Sequence, residues 1–126
     1  MDCSCDWDPP RFYCADIRTA RKVHSCEECS GQILSGEKYE HVSGCWDNGV
    51  DRFKTCERCV DLRVWVRNNV PCLCWMHGNA DEGLREAVDE AYYRARSEVV
   101  GLKFGLLRRF VLRDRYNAAR RQKAAA

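Results

Sequence analysis

Along the last third of the chain, apolar residues return at helical steps. Leu84, Val88, Ala91, Ala95, Val99, Leu102, Leu106 and Phe110 follow one another every three or four positions, which marks one face of an amphipathic helix. Asn79 followed by Glu82 has the spacing of a capping box and places its start near residue 80. Gly101 and Gly105 each cost a helix about 1 kcal/mol relative to Ala, so a kink or break is expected at 101–105. The Ala-rich residues 117–126 are expected to fray.

The middle of the chain has a different rhythm. Lys38 to Val42 and Arg52 to Thr55 alternate as strands do, and Asp47-Asn48-Gly49 between them supplies the positive φ angles of a tight hairpin turn. Val60, Leu62, Val64 and Val66 then alternate with Asp61, Arg63, Trp65 and Arg67, a period of two that by itself argues for a strand. A helix to Asn68-Asn69 is preferred here, because an Asn pair commonly ends a helix and Pro71 follows.

Length and composition bound these elements. The chain has 126 residues, 45% hydrophobic and 32% charged, which fits one modest core. The most apolar stretch, residues 99–112, is too short to cross a bilayer and carries Lys103, Arg108 and Arg109. The start, MDCSCDWDPP, has acidic residues where a secretory signal has a basic patch and an apolar run, and a cytoplasmic compartment is expected. The net charge of +2 conceals segregation: residues 1–93 carry −6 and residues 94–126 carry +8.

Ten cysteines are the strongest chemical signal. In a reducing compartment, closely spaced thiols point to metal rather than disulfides. Cys26-x-x-Cys29 and Cys56-x-x-Cys59 can each give two sulfurs to one tetrahedral zinc, and the hairpin between them brings the pairs together. Cys3-x-Cys5 and Cys72-x-Cys74 are the second set of four, with His77 as a substitute ligand. A second zinc there would clip the N-terminus to the loop entering the long helix. Cys45, beside Trp46, is expected to pack, Cys14 has no evident partner, and His24 and His41 are expected to be surface histidines or supports of the site.

A cysteine knuckle, a hairpin and a second CxxC entering a further element resemble a treble-clef zinc finger, whose last pair sits on the first turn of a helix. More widely, CxCDWDPPRFY, ARKVHSCEEC, SGEKYEHVSGCWDNGVDRFKTCERC and PCLCWMHG are similar to small zinc-binding proteins of tailed phages and prophages of Gram-negative bacteria. The likeness covers about residues 3–80. It implies both ligand sets, Cys26, Cys29, Cys56, Cys59 and Cys3, Cys5, Cys72, Cys74, and a phage setting rather than an activity.

The expected protein is α+β: a two-zinc module over 1–79, with a treble-clef-like core at 24–69, followed by a helical basic region over 80–126. The expected function is non-enzymatic binding of a host protein or nucleic acid, as in host takeover or anti-defence. Arg94, Arg96, Lys103, Arg108, Arg109, Arg113 and Arg115 are the candidate contacts, since guanidinium groups suit phosphate and carboxylate alike. A DNA-binding regulator is one alternative. Tyr92, Val99, Phe104, Leu106, Leu107 and Phe110 could instead form a dimer seam or a host-protein contact. The enzyme alternative is an HNH-like nuclease using His41 and Asn48, but residues 57–69 lack the histidine that class places on its helix. A membrane-surface role for the basic amphipathic tail is a further alternative.

Overall fold

The computed structural model describes residues 10–46, 49–94 and 101–125, the last five as backbone only. Five strands, β1 (Phe12–Thr19), β2 (His24–Ser25), β3 (Gln32–Ile33), β4 (Lys38–Trp46) and β5 (Gly49–Cys56), precede three helices, α1 (Glu57–Asn69), α2 (Ala80–Arg94) and α3 (Leu102–Ala125). The fold is α+β.

Strands β1, β4 and β5 form an antiparallel sheet with β4 in the centre, and β2 and β3 form a two-stranded ribbon. The hairpin anticipated from Lys38–Val42 and Arg52–Thr55 is β4–β5, extended at both strands. Gly49 has φ +104°, a conformation that favours glycine. Asp47 and Asn48 of the anticipated turn lie outside the described residues. Strand β1 is a departure from the sequence reading, which assigns 1–23 no element. All eight of its residues are exposed, so neither face shows the alternation by which a half-buried strand is recognised.

In α1 the helical reading holds against the period-two pattern. Its buried residues are Cys59, Leu62, Arg63 and Val66, spaced three, one and three apart as a helix face requires, while Val64 is 46% exposed. Val70, held extended by the following Pro71, ends the helix. The amide of Asn69 adds a bond to the Trp65 carbonyl at 2.7 Å.

In the region of the anticipated break, Gly101 has φ +85° and immediately precedes α3. Leu84, Val88, Leu102, Leu106 and Phe110 are buried as the helical stripe requires, and with Leu62, Val66 and Ala87 they form one apolar core between the three helices. Ala95 and Val99 lie outside the described residues. Within the stretch expected to fray, α3 runs to Ala125 and Asn117 is 5% exposed; residue 126 lies outside the described residues. A second cluster, Ala20, Cys26, Ile33, Tyr39, Cys56 and Cys59, joins the ribbon to the hairpin and to the first turn of α1. Among the described residues, no helix is long and apolar enough to cross a membrane.

Candidate metal centre

The turn between β2 and β3 carries Cys26 and Cys29. It is closed by the Cys26 amide bonded to the Gly31 carbonyl at 2.9 Å and the Ser30 amide to the Cys26 carbonyl at 3.0 Å, with Ser30 in the left-handed region at φ 59°. Cys56 ends β5 and Cys59 lies in the first turn of α1. The sheet and ribbon thus place all four sulfurs together, within 4.8 Å of one another. All four are free thiols.

The spacing identifies what the cluster can hold. Cys26 and Cys59 sulfurs are 3.8 Å apart and those of Cys29 and Cys56 are 3.6 Å apart. A disulfide needs about 2.05 Å. Four sulfurs at about 2.3 Å from a tetrahedral zinc are separated by about 3.8 Å, so the donor set fits that ion.

Hydrogen-bond donors surround the sulfurs. The amides of Glu28 and Cys56 donate to Cys26 at 3.4 and 3.3 Å, and the amide of Gly31 donates to Cys29 at 3.4 Å. Two more come from α3: Asn117 Nδ2 to Cys29 at 3.3 Å and Arg113 Nη1 to Cys59 at 3.7 Å. Such bonds favour thiolates over thiols. Hydrogen bonds from Cys26, then Cys56 and Cys59, hold Cys29 far below the ordinary thiol range. Bonds with Cys26, then Cys29 and Cys56, push Cys59 up. Four crowded thiols without a cation cannot all ionise, and a divalent ion removes that conflict.

Arg113 and Asn117 were not assigned this place by the sequence reading, which puts Arg113 on a basic contact surface. That assignment is corrected here. Arg113 is 7% exposed and is held by Asp81 at 2.9 and 2.8 Å and by Asp114 at 3.1 Å. The stripe Leu102–Leu106–Phe110 continues at the same helical spacing to Arg113 and Asn117, and polar residues at buried positions of a stripe signal a polar neighbour beneath them. Glu28, between the two knuckle ligands, also reaches across: its carboxylate accepts from the amides of Gly78 and Ala80. It caps the start of α2, a task the sequence reading gives to Asn79 and Glu82.

The other candidate basic contacts in the described residues are exposed, some with neighbours on the surface. Arg94 pairs with Glu90 at 2.7 Å and Lys103 with Asp89 at 2.9 Å. Arg109 stacks over the Trp65 ring at 3.9 Å. Arg108 and Arg115 are exposed, and Arg96 lies outside the described residues.

Of the second ligand set, Cys3 and Cys5 lie outside the described residues. Cys72 and Cys74 stand as disulfide cysteines; their sulfurs are 3.7 Å apart, so they are not bonded to each other. His77 is set among rings: its Nε2 is 2.9 Å from the Tyr13 hydroxyl, and it stacks on Phe53 and packs edge-on against Trp75. Cys14 is exposed, and Cys45 packs beside Trp46 as expected. His24 lies 3.2 Å from Lys54 Nζ, and His41 is 8% exposed. Comparison with protein-family models, curated proteins and solved structures finds no match to this chain.

Proposed function

We propose that this chain is a non-enzymatic binding protein whose finger is a treble clef organised by zinc on Cys26, Cys29, Cys56 and Cys59. The single observation that carries the reading is the closed four-sulfur cluster, in which three of the cysteines are buried. Four protein sulfurs fill a tetrahedron and leave no position for a water to be activated, which is the mark of a structural rather than a catalytic zinc. Knuckle, hairpin and helix follow one another in treble-clef order, with the second CxxC at the entry to α1. In this reading the partner is a host protein or a nucleic acid, and an infected bacterial cell is the setting that the resemblance to phage proteins implies.

Elemental analysis of the purified chain tests the metal, together with melting in the presence of a strong chelator. Zinc at a stoichiometry of at least one per chain is expected, and its removal should unfold the protein, because such sites bind with about 10–16 kcal/mol, comparable with a whole domain's stability. A second zinc per chain would establish the Cys3, Cys5, Cys72, Cys74 site. One zinc with two disulfides would remove it. Metal-free protein of unchanged stability would overturn the proposal, and Mg²⁺-dependent DNA cleavage lost on His41→Ala would favour the HNH-like alternative.

A second reading is supported by α3. Phe104 is 79% exposed, Leu107 57%, Val111 40% and Leu112 52%, and all four lie outside its buried stripe. Leu106 and Phe110 of the anticipated seam are instead core residues. The exposed stripe suits self-association, and a strictly monomeric mass by light scattering would dismiss it.

A further inference from the structure

A cationic surface stands open on the sheet as well as on α3, where Arg108 and Arg115 are exposed. Opposed residues of neighbouring strands share a face, so the registers Asp16↔His41↔Lys54, Cys14↔Ser43↔Arg52 and Arg18↔Tyr39↔Cys56 define one side of the sheet. Helix α1 occupies the other side, through the 2.6 Å ion pair of Arg63 with Glu40. On this side Arg18 and Arg52 are exposed and Lys54 is half-buried, around Tyr39, His41 and Cys56, which are buried, and the loop leaving β1 adds Arg21 and Lys22, both exposed. At its knuckle end lies a cleft of 980 Å³ lined by Arg18, Arg21, Lys22, His24 and Tyr39 with Thr19.

Five cations gather here, of which Arg18 is tied to Asp16 at 3.2 Å. At the far end of the same face, Phe12 and Val50 flank Cys45 and are 47% and 60% exposed. From Arg18 to Phe12 is about 20 Å along an extended strand.

We infer that the exposed margin of this sheet face binds single-stranded nucleic acid, with Arg18, Arg21, Lys22, Arg52 and Lys54 on the phosphates and Phe12 under a base. A basic track combined with a sequence-tolerant aromatic platform is the chemistry of single-strand binding. An acidic protein segment would use the cations but not the exposed ring. This inference rests on the binding-protein reading and gives it a ligand and a surface different from α3.

The test uses zinc-loaded full-length protein and a fluorescein-labelled mixed-sequence DNA 12-mer, followed by anisotropy between 50 and 200 mM salt. Arg21→Gln with Lys22→Gln should weaken binding by about tenfold at low salt and flatten the log–log salt slope by about 1.4, near 0.7 for each lost phosphate contact on a single strand. Phe12→Ala should weaken binding and leave the slope unchanged. Arg108→Gln with Arg115→Gln on α3 should bind as wild type. All the substituted residues are exposed, and zinc content with circular dichroism verifies that each variant is folded. Loss of binding in the α3 variant alone, displacement of the DNA by polyglutamate at equal charge, or no salt-dependent binding would each overturn the inference. A folded, zinc-loaded protein that ignores DNA sinks this inference alone, whereas a metal-free protein sinks the reading beneath it.

Discussion

Asn117 is eighty-eight residues from Cys29, yet its amide donates to that sulfur at 3.3 Å. Replacing it with Ala removes a hydrogen bond to a charged acceptor, worth about 1.5–3 kcal/mol. Part of that loss is offset, because Asn117 Oδ1 is buried without a protein partner and its desolvation disappears with it. A net destabilisation of about 1–2 kcal/mol is expected for zinc-loaded protein. Asn117→Asp keeps the shape and places a carboxylate where the donor was. At an effective dielectric near 20, two unit charges about 3.3 Å apart repel by about 5 kcal/mol. Zinc withdraws charge from its sulfurs, so the effect on the metal is smaller, but a loss of zinc affinity of more than about tenfold, or 1.4 kcal/mol, is expected. Competition against a chromophoric chelator reads the affinity and urea unfolding reads the stability. The reasoning is refuted if Asn117→Asp holds zinc as tightly as wild type, for then α3 does not bear on the site.

Gly31→Ala should reproduce the Asn117→Ala phenotype, since a Cβ at residue 31 would stand 2.6 Å from the Asn117 amide; a double-mutant cycle should show the two substitutions strongly non-additive. Glu28→Ala uncaps α2 and should cost about 1 kcal/mol, read as a lowered urea midpoint with zinc stoichiometry unchanged. His77 is pushed down to about 4 by its burial, with Arg63 adding to the effect, while an unfolded histidine titrates near 6.5. The unfolded chain therefore binds the extra proton, so the stability tied to neutral His77 is complete above about pH 6.5 and is lost as pH falls toward 4. His77→Gln should flatten that part of the profile in urea midpoints measured at pH 5 and 7.

The two CxxC pairs were legible because metal ligation is written in local spacing, and the hairpin joining them announces itself by alternation and a turn. The helical character of α1 was legible only through its ending: Val60, Leu62, Val64 and Val66 alternate by coincidence, and burial selects Leu62 and Val66 together with Arg63. Strand β1 escaped because pairing with β4 is a long-range event and its exposed side chains record no face. Arg113 was misread because a charge in a basic run is indistinguishable from a surface charge until Asp81 and Cys59 are brought beside it. The open basic face escaped for a related reason. Residues 1–93 are net acidic, and only strand register collects Arg18, Arg52 and Lys54 on one side.

The reach of α3 over the knuckle fixes an order of events during synthesis. Once Cys59 has left the ribosome, the finger has every sulfur it needs, and metal can load on a half-made protein. Until residues 113–117 emerge, however, Cys29 and Cys59 lack their last two donors and face the cell's oxidants without a cover. The final helix is the lid on a site that was finished about fifty residues earlier, and a truncated chain would carry an assembled but unguarded centre.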